Sequence, residues 1–392
     1  MPITSFTTSN TLSSIPPYVF WELDARRAAL RAEGKTLVDF GIGSPDQPIP
    51  QPVINAMREA VGERTLSGYP HFSGHPEFRN TISAFMQDRF GVAINPDTEV
   101  MPVAGSKEGL AEIVLSMCNP GDVVLVPEIH YPVYARATLL AGAVPVFVPF
   151  ANDGSGRLML ETISADDLAR ARIMIVNYPS NPTTAIATRD DLAAIVAFAA
   201  QNELLVVSDL AYSELSYDGF VVPSILELDG AKDVAIEMHT CSKSFNMAGL
   251  RIGFATGNAD AIRALDLYRS NVGYGVSTLP QRAAIAAFSQ HRTITPPIVE
   301  EYKRRRDALA GALKQHGWTV DVPKATMYFW LDVPPGFDDW GWVDALMRGP
   351  GIVVTPGIAF GAAGTGKFRM SLVQPGDTLT SAVPLMTEVA RR

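Results

Sequence analysis

The sequence predicts an α/β protein, with a mostly parallel sheet in a large domain and a smaller domain beside it. Three observations carry this reading. Apolar runs of strand length, such as 122–126 (DVVLV), 172–176 (RIMIV) and 204–207 (LLVV), lack polar alternation, as strands covered on both faces do. These runs alternate along the chain with longer stretches of helical apolar spacing. At 392 residues the chain also exceeds the ~250–300 at which a single core stops growing.

Composition narrows the classes. Hydrophobic residues at 47% and charged residues at 19% describe an ordinary soluble globular protein. A net charge of −9 argues against nucleic acid or an anionic membrane as partner, since both attract a basic face. The two cysteines, Cys118 and Cys241, form no CxxC, so a reducing cytoplasm fits better than a disulfide framework. No early run has a basic segment followed by an apolar one, and no apolar run approaches ~18 residues. The six histidines have no metal-ligand spacing, so no metal is expected.

Residues 1–14 are Ser/Thr-rich and read as a loose arm. Residues 15–20 (IPPYVF) lead into a helical stretch that runs to Glu33 and stops at Gly34. Residues 37–43 read as a strand ending in glycines. A helix over 52–61 carries proline at its start, and 76–90 is a second. Strands follow at 99–103, 122–126, 144–148, 172–176, 204–207, 233–238 and 253–257. Helices are read from 106 to Cys118, over 259–270 and over 296–315. Residues 271–277 form a glycine-rich loop. Residues 328–333, 353–361 and 367–372 supply the strands of the smaller domain. No internal repeat or low-complexity tract appears.

The chemistry concentrates in residues 240–253 (TCSKSFNMAGLRIG). Lys243 follows a strand, where α/β sheets place their ligands. A lysine in a tight, partly dry pocket loses its proton easily and forms a Schiff base with an aldehyde. Thr240, Ser242 and Arg251 together suit a phosphate, since hydroxyls donate and a guanidinium grips two oxygens. An aldehyde and a phosphate on one ligand point to pyridoxal 5′-phosphate. Residues 104–109 (AGSKEG) run from a strand through a glycine turn into a helix, an anion cradle of free N–H groups. Gly105, Ser106 and Lys107 belong to it. The pattern is neither a Walker loop nor a dinucleotide fingerprint. Asp209 ends a buried strand, where a carboxylate is costly unless paired.

On these residues the chain resembles the class I/II aminotransferases of fold type I, over about residues 15–390. The resemblance implies a seven-stranded sheet in a large domain over 50–290, and a smaller domain from both chain ends, 1–49 and 291–392. It makes Lys243 the Schiff-base lysine and Arg251 the phosphate arginine. Asp209 then pairs with the pyridine nitrogen and keeps the ring an electron sink. Asn181 and Tyr212 donate to the phenolate oxygen, and Tyr131 stacks on the ring. Ile42, Gly43 and Asn181 approach the substrate, and Arg369 grips its α-carboxylate. Tyr69 reaches the partner's phosphate in a homodimer, and Tyr274 faces substrate. Thr184 stands where the family usually has glycine, which bears on the turn after Asn181.

The implied reaction moves an amino group between an amino acid and a 2-oxo acid. Residues 15–20, GSKEGL, NYPSNPTT and SKSFNMAGLRIG place the chain near the LL-diaminopimelate, glutamate–pyruvate and aspartate-type branch. The loop with Gly273 and Tyr274 is closer to the alanine-forming type, so glutamate, alanine or aspartate is the expected donor. LL-diaminopimelate is the alternative. C–S lyase, decarboxylase or oxidase chemistry on the same fold, a PLP-binding regulator and a decayed site are the rival classes. With the match starting near residue 15, no room is left for a regulator's DNA-binding domain.

Overall fold

A computed structural model describes residues 7–391. Its centre is a seven-stranded sheet. In spatial order the strands are Val100–Val103, Gly253–Gly257, Ala235–Thr240, Leu205–Asp209, Ala171–Val176, Val123–Pro127 and Val144–Val148. Gly253–Gly257 is antiparallel to both neighbours, and the other ladders are parallel. The mostly parallel seven-stranded sheet is therefore as expected.

The unbroken apolar runs have a direct cause. Ile173, Ile175, Val207 and Met238 enter one buried cluster, while Met174, Val176 and Val206 enter another. Successive side chains point to opposite faces, and both faces are covered. Helices Ser106–Met117, Val133–Leu140 and Ala259–Val272 contribute Leu110, Ile113, Ala137 and Leu265 to one cluster. Pro76–Phe90, Arg189–Gln201 and Thr278–Ser289 contribute Phe78, Ile82, Leu192 and Ala283 to the other. Each large aliphatic side chain buried this way is worth ~1.5–3 kcal/mol.

Two smaller sheets lie apart from this one. Val38–Asp39 pairs in parallel with Ile352–Val353, joining the two ends of the chain. Lys367–Ser371 runs antiparallel between Thr355–Pro356 and Tyr328–Asp332. Helices His291–Gln315 and Gly376–Ala390 pack together on this side.

Several boundaries differ from the sequence reading. The strand expected over 37–43 is only Val38–Asp39, because the Asp39 carboxylate accepts from the Gly41 and Ile42 amides and turns the chain. The strand expected from 233 starts at Ala235, after the helical turn Ala231–Val234. The run 353–361 breaks into Ile352–Val353, Thr355–Pro356 and the tight turn Gly357–Phe360. The helix read from 296 begins at His291, with Pro296 and Pro297 inside it. Burial of Ile294, Thr295 and Ile298 holds those first turns despite the missing N–H groups. In the expected loose arm, Asn10–Ser13 forms one helical turn capped by Ser9, and residues 1–6 lie outside the described residues. Among the described residues, no helix is long and apolar enough to cross a membrane, and no acidic, His or Cys group is arranged to hold a metal.

Candidate active site

Several strands of the large sheet end beside one cavity of about 280 Å³. Asp209 closes Leu205–Asp209, Thr240 closes Ala235–Thr240, and Tyr131 follows Val123–Pro127. Asn181 arrives on the loop after Ala171–Val176. That loop is tied down by Asn177, whose amide donates to the Asp209 carbonyl at 2.8 Å and accepts from the Asn181 N–H at 2.8 Å. Thr184 adopts φ 61°, the left-handed region that glycine favours, so the turn keeps its shape with threonine in it.

The side expected to take a phosphate is built from backbone, hydroxyls and the Arg251 guanidinium. Thr240 Oγ1 donates to Ser242 Oγ at 2.9 Å and accepts from the Ser242 N–H. Arg251 sits at φ 52°, ψ 58°, and its guanidinium donates to the Ala104 and Ala248 carbonyls. Strain of this kind persists where the surroundings enforce it. Gly105 has φ 88°, and a Cβ there would stand 2.3 Å from Arg251 Nη2. The glycine turn is thus required by the arginine. Ser106 opens the helix Ser106–Met117 and, with Lys107, lines the same cavity, so the helix starts beside it. Lys107 is exposed and lies 5.1 Å over the Tyr18 ring.

Two ionisable groups, Asp209 and Lys243, line the same cavity. Asp209 is buried, and its Oδ2 accepts from the Tyr134 hydroxyl at 2.7 Å. Its Oδ1 is buried with no protein partner. Burial pushes the carboxyl up to about 6, against the pull of the Tyr134 hydrogen bond. Lys243 Nζ donates to the Gly43 carbonyl. Burial first, then the nearby charges of Arg369 and Arg251, bring its amine down to about 8. Tyr131 lies edge-on to Tyr134, with centroids 6.0 Å apart.

Arg369 closes the cavity. It donates from Nη1 to Asn181 Oδ1 and from Nη2 to the Gly41 carbonyl, each at 2.6 Å, and its Nε has no partner. Ile42 and Gly43 line the same wall, and so does Tyr212. Two expected residues are elsewhere. Tyr69 is 80% exposed and Tyr274 53% exposed, and they stack on each other at 4.1 Å outside this cavity. Residues with no role in the sequence reading also face it: Tyr18, Phe20, Ser44 and Tyr328. Tyr134 acts through Asp209. It follows Tyr131 by three residues in the YPVY run, and a tyrosine in the first turn of a helix reads as packing until the fold brings Asp209 to it.

The unpaired Asp209 oxygen, the weakly basic Lys243 and the Gly105–Arg251 cradle fit a phosphorylated aldehyde with a cationic ring nitrogen. The sequence matches the family described as aminotransferase class I and II over residues 35–383. The chain belongs to the class I and II aminotransferases. Its cofactor is pyridoxal 5′-phosphate. LL-diaminopimelate aminotransferase 2 of Trichormus variabilis is 41% identical over 382 residues, covering 97% of this chain and 98% of the relative. The LL-diaminopimelate aminotransferase of Natranaerobius thermophilus is 40% identical over 380 residues, 97% of this chain and 98% of the other. Among solved structures, substrate-bound BacF from Bacillus subtilis superposes with TM-score 0.95 at 32% identity, over 98% of each chain. A probable N-succinyldiaminopimelate aminotransferase from Thermus thermophilus gives TM-score 0.89 at 30% identity, over 95% of this aminotransferase and 100% of that chain.

The Lys243 amine must be neutral to condense with the cofactor. Cofactor uptake by the cofactor-free aminotransferase is therefore expected to quicken as pH rises and to level off above about 8. Stopped-flow absorbance against pH checks this, and a rate still climbing past pH 10 contradicts it.

Proposed function

We propose that this aminotransferase takes its amino group from LL-diaminopimelate and passes it to a 2-oxo acid. The observation that carries the donor is the run of relatives near two-fifths identity over almost the whole chain, all bearing that substrate in their names. The site suits a donor with two carboxylates. Arg369 takes the α-carboxylate through Nε and its remaining N–H groups. Lys107 offers an exposed cation near the cavity edge for the distal one. The expectation of glutamate, alanine or aspartate remains the second reading, favoured by the loop around Gly273 and Tyr274.

The residues divide the work. Bound pyridoxal phosphate supplies a carbonyl that condenses with amines and a cationic ring that accepts the electrons of a broken Cα–H bond. Thr240, Ser242, Arg251, Gly105 and Ser106 hold its phosphate. The Asp209 Oδ1 would hold the ring-nitrogen proton, Tyr131 would cover the ring face, and the Asn181 amino group and Tyr212 hydroxyl would donate to the phenolic oxygen. The Lys243 amine would take the proton from the substrate α-carbon and return it to the carbon that carries the cofactor's aldehyde. The Gly43 carbonyl keeps that amine over the cavity while it is free.

We also infer a homodimer in which Tyr69 and the Tyr274 loop serve the neighbour's site, since their stacked, exposed rings have no work within one chain. Residues 50–290 form the cofactor domain and the two chain ends the smaller one. The free cysteines Cys118 and Cys241 suit a reducing cytoplasm.

A half-reaction screen tests the donor. The loaded enzyme is mixed with LL-diaminopimelate, glutamate, alanine and aspartate in turn. LL-diaminopimelate is expected to bleach the visible absorption fastest, and 2-oxoglutarate to restore it. Faster bleaching by alanine or glutamate favours the second reading. Ammonia, carbon dioxide or peroxide in place of an aminated cofactor moves the chemistry to a lyase, decarboxylase or oxidase.

A further inference from the structure

Tyr328 touches both halves of the site. It opens the strand Tyr328–Asp332, is 1% exposed and faces the cavity. Its ring lies 4.2 Å from the Arg369 guanidinium, with Phe360 at 4.8 Å. Its hydroxyl lies 3.0 Å from the Tyr212 hydroxyl. The register explains the first contact. Arg369 pairs with Trp330 and Ser371 with Tyr328, so Tyr328 and Arg369 are diagonal neighbours, within reach for long side chains. The turn above is shaped around the same ring, since a Cβ on Gly43 would stand 2.0 Å from the Tyr328 hydroxyl. Ser371 fixes that turn, its backbone N–H donating to the Phe40 carbonyl and its hydroxyl to the Ile42 carbonyl.

We propose that Tyr328 is a positioning residue that couples the carboxylate arginine to the tyrosine on the cofactor's oxygen. Its ring seats Arg369, and its hydroxyl donates to Tyr212. The ring contact keeps a planar cation from swinging and leaves its free N–H groups aimed at the substrate. The direction of the hydroxyl contact follows from what Tyr212 must do. Were Tyr212 the donor to Tyr328, it would turn a lone pair towards the phenolic oxygen. With Tyr328 as donor, the Tyr212 proton is free for that oxygen, and the chained bond makes Tyr212 a better donor. One side chain thus links the substrate end of the cavity to the cofactor end.

This rests on the roles proposed above for Arg369 and Tyr212, and the test separates the two levels. The probe is glutarate, a dicarboxylate with no amino group and hence no turnover, bound to the loaded enzyme and measured by calorimetry. The second readout is the pH midpoint of the enzyme's visible absorption without any ligand. Tyr328→Leu is expected to weaken glutarate about tenfold. Tyr328→Phe keeps the ring, so glutarate affinity stays within about twofold of the parent, but the midpoint moves upward because Tyr212 donates less well. Unchanged glutarate affinity in Tyr328→Leu, or an equal loss in Tyr328→Phe, overturns the ring's role. An unmoved midpoint in Tyr328→Phe overturns the hydroxyl's role. Arg369→Ala and Tyr212→Phe are the controls. If Arg369→Ala leaves glutarate binding intact, or Tyr212→Phe leaves the midpoint in place, the underlying assignment fails instead.

Discussion

Replacing Lys243 with alanine is expected to remove turnover by at least about 10⁴-fold, the upper end for a positioned acid–base group. The visible absorption of the lysine-bound cofactor goes with it. No neighbour can take over. Among the residues lining the cavity, the other cations are Arg251, Arg369 and Lys107. The two guanidiniums do not lose a proton in a protein. Lys107 is exposed beside Tyr18, not held inside the cavity against the Gly43 carbonyl as Lys243 is. Cysteine substitution followed by aminoethylation restores an amine near the same place and should recover part of the rate. A Lys243→Ala protein that transaminates at more than about a hundredth of the parental rate sinks the assignment of the base, because acid–base work alone accounts for that much.

The fold was legible because the sheet is buried on both faces. Runs such as 172–176 have no polar residue after Arg172, and only two-sided cover makes that stable. Boundaries were less legible where a side chain or a tertiary contact overrode the local pattern. Nothing in 37–43 announces that the Asp39 carboxylate will capture two amides and end the strand after two residues. Pro296 looks like a helix start, yet the buried side chains before it carry the helix back to His291.

The site divides along the same line. Lys243, Asp209, Asn181 and Arg251 sit in short runs whose residue types have a chemical reason to stand together, so sequence alone could bring them into view. Tyr328 and Tyr134 carry no such mark. A tyrosine in a strand or in the first turn of a helix reads as packing, and each gains its meaning from a partner far away in the chain: Arg369 and Tyr212 for one, Asp209 for the other. Tyr69 and Tyr274 show the converse. Their motifs are visible, but within one chain their stacked rings lie outside the cavity.

Asp209→Asn is expected to disable the enzyme while making its cofactor-free form more stable. The substitution keeps size and shape and removes the charge. With the cofactor present, an amide cannot hold a proton on the ring nitrogen, and one of its faces turns an N–H towards it. Loss of this electrostatic partner should lower turnover about 10³-fold or more. Without the cofactor, the same carboxylate is a burden. Its folded pKa is about 6, raised above the ordinary 3.8, because burial outweighs the Tyr134 hydrogen bond. A raised carboxyl pKa gives stability that is complete below the unfolded value and is lost as pH climbs through the folded one. At pH 8 the cofactor-free parent therefore carries a cost on the order of 2–3 kcal/mol that asparagine does not. Melting of the two cofactor-free proteins against pH measures it. The variant should melt higher at pH 8, and the gap should close below about pH 4, where Asp209 is protonated in both states. A variant that melts lower than the parent at pH 8, or a gap that ignores pH, means that the Oδ1 carboxylate is already balanced within the chain. Its pairing with the ring nitrogen would then lose its physical ground.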